Sequence, residues 1–71
     1  MKIDKGKDFG TAIRKRRKKL GYTQAFLAEV TGFSVSFISD LERGKSTAEL
    51  GKALALANTL GLDCLLQERG E

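Results

Sequence analysis

Residues 22–45, YTQAFLAEVTGFSVSFISDLERGK, decide the fold. They read as two short helices on either side of Gly32-Phe33. Thr23 can cap the first, its hydroxyl accepting from a free backbone N–H, and Tyr22 can staple onto Leu27. Leu27, Ala28 and Val30 then supply apolar contacts until the chain turns at Gly32. This piece has barely two turns, so packing must hold it. Ser34 can cap the second, with Phe33 before it and Ile38 after it as a staple. Ile38 and Leu41 lie three apart and should point inward. Ser34, Val35, Ser36, Ser39 and Asp40 are left for the first turn and the outer face.

Working outward, glycines do the punctuation, since the 71-residue chain has no proline. Gly21, Gly32, Gly44 and Gly61 each stand where a helix-ending residue would. A first helix is expected from Asp8, as its cap, to Leu20, with Phe9, Ala12, Ile13 and Leu20 on one side. Gly10 should weaken its start by roughly 1 kcal/mol relative to alanine. Ser46-Thr47-Ala48-Glu49 reads as a capping box opening a fourth helix. Leu50, Ala53, Leu54 and Ala57 form one apolar stripe on it, and Leu56 and Leu60 a second. A helix with two apolar sides in a small protein suggests that one side meets another subunit. After Gly61, Leu62, Cys64 and Leu66 alternate with Asp63, Leu65 and Gln67, as in a short strand. Such a strand needs an edge, and its twin in a second chain offers one. The competing reading is a frayed tail that packs Leu65 or Leu66 on the core.

The expected architecture is therefore all-α. It has four to five short helices in one domain, with a C-terminal strand pairing across a dimer. Residues 1–7 form a basic tail, 8–61 the helical domain and 62–71 the dimerising segment. A chain this short buries only about 60% of the surface its unfolded form exposes, so a second subunit would help it. With no histidine and the single Cys64, the chain offers neither a disulfide nor a zinc ligand set, and no cofactor is expected. One unpaired cysteine fits a reducing, cytoplasmic home. No apolar run approaches a membrane span, and MKIDKGKD lacks the apolar middle of a signal peptide. An enzyme is not expected: no phosphate-cradling glycine loop is present, and Cys64 sits in an apolar run without a base.

The net charge of +4 is unevenly spread: residues 1–20 carry +7 and residues 21–71 carry −3. One end of the molecule is strongly cationic, and a polyanion is its natural partner. A solvated face that merely aids solubility is the plain alternative.

Two helices joined by a tight turn have the layout of a helix-turn-helix. The pattern T-Q-x-x-L-A, then G, then S-x-x-x-I-S-x-L-E-x-G, over residues 23–44, resembles the lambda-repressor-like (Cro/Xre-type) DNA-binding regulators. The likeness extends over residues 9–62. The domain followed at once by LGLDCLLQ is, more narrowly, similar to HipB-type antitoxins. That resemblance implies a homodimer on the palindromic operator of its own operon, acting as a repressor, and a HipA-type kinase toxin as second partner. A stand-alone Xre-type regulator, or mainly an interaction module that inhibits a kinase, are the alternatives.

Several residue roles follow. An α-helix fits the major groove, and its leading residues reach base edges. The reader positions map onto Val35, Ser36 and Asp40, with Ser34 and Ser39 secondary. Val35 can pack on a thymine methyl, while Asp40 could accept from a cytosine amino group or exclude wrong sequences by repulsion. The resemblance gives Gln24 the clamping of a phosphate at a helix N-terminus. It makes Arg17 and Glu42 an ion pair between the first and third helices. Arg14, Arg17, Lys18, Arg43 and Lys45 are candidate phosphate contacts, although cations after the third helix also suit its dipole. Leu56, Leu60, Leu62, Cys64 and Leu66 are the candidate dimer residues. Two positions depart from the pattern. Phe26 stands where the family often has Glu, as core or as sticky surface. Phe37 could pack inward, lie on DNA or touch a partner, and packing is the expected role.

Overall fold

The computed structural model describes residues 2–70 and holds four helices: α1 (Gly6–Lys19), α2 (Gln24–Thr31), α3 (Val35–Glu42) and α4 (Leu50–Thr59). Met1 and Glu71, the outermost residues of the two tails, lie outside it. The middle pair is built by its caps. Thr23 Oγ1 accepts from the Phe26 N–H at 3.0 Å, and Ser34 Oγ accepts from the Phe37 N–H at 3.0 Å. Between them Gly32 takes a left-handed conformation, φ 79°, and donates its N–H to Ala28 O. Gly21, Gly44 and Gly61 also have positive φ. Aromatic pairs brace the start of each helix of this middle pair. Tyr22 lies against Phe26, with ring centroids 4.9 Å apart, and Phe33 against Phe37 at 5.3 Å. Leu27 and Ile38 are fully buried in the core, against which Phe33 also packs.

α1 begins at Gly6, two residues before the expected start, so the basic tail is shorter than residues 1–7. Asp8 is not its N-cap but its third residue. Its carboxylate reaches back to accept from the Asp4 and Lys5 backbone N–H groups, both at 3.1 Å. Leu20 is exposed rather than part of the apolar side. α4 starts at Leu50, and the Ser46–Glu49 capping box does not form. Residues 46–48 are turn or bend, and Glu49 is an N-cap with no side-chain capping bond. The cause is nonlocal. Gly44 lies so close to α1 that a Cβ there would stand 2.6 Å from Lys7 Cα, and Ala48 packs on the core. The chain must round the start of α1 before it can wind again.

The core is Ile13, Leu27, Ile38, Leu41, Ala53, Leu56, Ala57 and Leu60. Leu56 and Leu60, expected at a dimer surface, are 0% and 1% exposed inside this core, so neither has surface to give a second chain. The stripe of α4 is Ala53, Leu56, Ala57 and Leu60, at helical spacing, while Leu50 is exposed and Leu54 half-buried. Arg16 seals the end of α4 by donating Nε to the Leu60 carbonyl at 2.8 Å.

Residues 62–70 form neither helix nor strand, and no strand occurs among the described residues. Among the described residues the fold is thus four helices, without a fifth. Leu62 packs against the core, but Leu65 and Leu66 are 86% and 103% exposed, so the tail does not fold back on them either. A strand whose ladder partner lies in another chain has no ladder in one chain alone. Among the described residues no helix is long and apolar enough to cross a membrane.

Candidate nucleic-acid interface

The approach of α1 to α3 makes the site. At Gly10 the two backbones nearly touch: a Cβ there would fall 2.2 Å from Leu41 O and 2.7 Å from Glu42 O. Sequence reasoning saw only a weak helix residue, because the contact is made with a chain segment thirty residues away. This approach brings Arg17 onto Glu42. Arg17 Nε and Nη2 donate to the two Glu42 carboxylate oxygens at 2.7 and 3.0 Å, and Nη1 donates to the Tyr22 carbonyl at 2.9 Å. Both residues are 8% exposed. With all three nitrogens bonded inside the protein, Arg17 is a structural tie and has little guanidinium left for a phosphate.

Gln24, the first residue of α2, joins the same network: its Nε2 donates to Glu42 Oε1 at 3.0 Å. Burial pushes the Glu42 carboxyl up, but hydrogen bonds from Arg17 and Gln24 and nearby positive charge outweigh it, and the group lies below the ordinary glutamate value. The Glu42 bond correspondingly raises Arg17, against the opposing effect of burial.

Outside this tie lies a basic groove. Lys7, Thr11, Arg14, Lys15, Lys18 and Arg43 surround an open space of about 570 Å³ beside Glu42. A smaller one, about 280 Å³, joins Arg14, Gln24, Ser39 and Arg43 beside Glu42. Thus Gln24 and Arg14, far apart in sequence, share a cleft next to α3. Lys7 and Thr11 were not picked out from the sequence; their place on α1, two turns and one turn before Arg14, was the available signal.

The leading face of α3 is open. Ser34 and Ser36 are exposed, Val35 is 44% exposed, and Ser39 and Asp40 are half-buried on the same outer side. Ser34 Oγ already accepts the cap bond, which leaves its hydroxyl proton to donate. Asp40 is not a free carboxylate. Arg43 Nη2 donates to one of its oxygens, and Lys45 Nζ approaches the other at 3.4 Å. Phe37 packs on the core with Lys52 Nζ 5.9 Å above its ring, whereas Phe26 is exposed. Among the described residues no cluster of side chains could hold a metal ion.

An exposed helix start, joined by a glycine turn to a second short helix and followed by a basic groove at the other end of α3, matches a known arrangement. The helix-turn-helix family model covers residues 13–66. The chain belongs to the Cro/C1-type helix-turn-helix family of transcriptional regulators. This helix-turn-helix regulator is 42% identical over 64 residues to y4mF of Sinorhizobium fredii, described as an uncharacterized HTH-type transcriptional regulator; the match covers 90% of this chain and 84% of y4mF. Its fold superposes on a HipB variant in complex with the O2 20mer, with a TM-score of 0.88 and 26% identity, over 99% of this chain and 97% of the other. The HipA–HipB–O2–O3 complex gives the same TM-score at 24% identity, over 99% of each chain, a likeness of fold alone.

Proposed function

We propose that this helix-turn-helix regulator is a sequence-specific repressor that binds double-stranded DNA as a homodimer on a palindromic operator, and that it is the autoregulating antitoxin of a toxin–antitoxin operon. One observation carries the DNA reading: the start of α3 is open at Ser34, Val35 and Ser36, and a groove lined by Lys7, Arg14, Lys15 and Lys18, cations with no ion pair among the described residues, meets the same helix at Glu42 and Arg43. The helix start can enter the major groove while Gln24, Arg14, Lys18 and Lys45 meet the sugar-phosphate rail on either side. The serines donate or accept, and Val35 offers methyls to thymine. Repression needs only occupancy, so no catalysis is involved, and the reading places the protein in the cytoplasm with its DNA.

The dimer reading rests on residues 62–71. Leu66 is bare and Cys64 exposed, while Leu62 already leans on the core. Pairing of this segment with its twin would cover Leu66 and Cys64 and supply the missing ladder. The antitoxin reading draws on the fold shared with HipB, which has been seen in complex with the O2 20mer and, in another structure, with HipA, O2 and O3; a HipA-type kinase is the second partner it implies.

The test is selection from random duplex DNA at fixed salt. An inverted repeat with half-sites about 34 Å apart is expected. With Arg14, Lys18 and Lys45 on each protomer, six phosphate contacts give a slope of log affinity against log salt of roughly −5. A library that shows no enrichment, or binding indifferent to salt, would overturn the proposal.

A further inference from the structure

The corner after α3 holds one cation that behaves unlike the rest. Arg43 is the C-cap residue of α3, and its side chain is 70% exposed, yet its guanidinium is tethered rather than free. Nη1 donates to Ser39 Oγ at 3.0 Å and Nη2 to Asp40 Oδ1. Those acceptors lie four and three residues earlier, so the side chain runs back along the outer face of α3 toward the end that leads into the groove.

We infer that Arg43 reads a guanine edge and that Asp40 and Ser39 are its positioning residues. This rests on the DNA-binding reading above. It takes Arg43 out of the phosphate group in which its sequence position first places it, and removes Asp40 from direct base contact.

Three features support the assignment. First, guanidinium has five N–H donors in a rigid plane, and Ser39 and Asp40 engage two of them. The three that remain include enough for the paired O6 and N7 acceptors that only guanine presents in the major groove. Second, Asp40 is a poor reader by itself. A cytosine amino group would need a free carboxylate oxygen, but Arg43 takes one and Lys45 stands 3.4 Å from the other. Third, the cluster of Asp40, Arg43 and Lys45 carries a net positive charge, which removes the difficulty of a carboxylate beside phosphates. A long side chain that is already held costs less ordering when it binds.

The experiment measures binding of the selected duplex, and of every single-base-pair substitution in one half-site, to the parent chain, R43K, D40N and the double variant. Thermal melts check that each is folded. R43K keeps the charge but lacks the fork. It should leave the salt slope and the affinity for random DNA unchanged. It should also erase a preference of about tenfold or more for one G·C pair. D40N should weaken the preference at that same pair several-fold. The double variant should match R43K, because both changes act through one contact. The inference is overturned if R43K alters all sites equally or none. It is also overturned if D40N relaxes a different pair, which would make Asp40 a reader itself. A parent chain with no preferred duplex would instead overturn the DNA-binding reading.

Discussion

Replacing Gly10 with alanine tests the packing on which the interface is built, because local and tertiary effects have opposite signs. In an isolated helix the change gains roughly 1 kcal/mol. Here the new methyl would meet Leu41 O at 2.2 Å, Glu42 O at 2.7 Å and the Glu42 carbonyl carbon at 2.9 Å. All three are backbone atoms, which no rotamer change can move. Ordinary contact begins near 3.4 Å, so α1 would have to retreat by about 1 Å. That retreat would stretch the 2.7 and 3.0 Å Arg17–Glu42 bonds beyond hydrogen-bond range. Overpacking costs about 1–3 kcal/mol, with the upper end apt for backbone, and the loosened ion pair adds to it. A net loss of about 3 kcal/mol follows, out of the roughly 4–11 expected for a domain of this length. The Tm should fall by roughly 12–24 °C. Melts followed by circular dichroism at fixed protein concentration measure it. Gly51→Ala is the control: it lies in α4 with nothing within 4 Å of its Cβ position, and should gain up to about 1 kcal/mol. A Gly10→Ala protein as stable as the parent would refute the reasoning.

Glu42→Gln should cost roughly 3 kcal/mol at neutral pH, because Arg17 would keep its charge in a nearly closed site. The folded Glu42 value is lowered, so its stabilisation is complete above the unfolded value of about 4.3 and is lost as pH falls through the folded value. Denaturant titrations should therefore show the parent–variant gap narrowing below about pH 4; a gap constant from acid to neutral pH would count against the ion pair. Thr23→Ala removes the bond to the Phe26 N–H and should cost about 1 kcal/mol in the same assay, while no loss would mean that water replaces the cap. Substituting serine for Leu66 and Leu65 together should leave the melting of the four-helix core nearly unchanged but weaken self-association in sedimentation. An unaltered dimer would place the interface elsewhere.

What could be read from the sequence was what depends on neighbours along the chain. Thr23, Ser34 and the glycine turn between their helices act within four residues, and their side chains are where the pattern puts them. Ile38 and Leu41 point inward for the same reason. Periodicity splits the apolar residues of α4 into two stripes, whereas one face, Ala53, Leu56, Ala57 and Leu60, is buried and Leu50 is exposed: Leu56 and Leu60 look spare only because their core partners come earlier in the chain. The capping box at Ser46 failed because Gly44 is held against Lys7, a contact no local rule contains. Gly10 was misjudged on the same grounds. Asp40 in α3 and Arg43 at its C-cap, three apart, are legible as a pair, although the sequence pattern gives each a separate task on DNA.

On the proposed function the outer face of α3, and no other surface, enters duplex DNA. Amide NMR spectra recorded while the selected duplex is titrated in test it most directly. The largest shifts should fall on Ser34, Val35, Ser36 and Gln24, with Ala53, Leu56 and Leu60 almost still. Shifts centred on α4, with residues 34–40 unmoved, would contradict it.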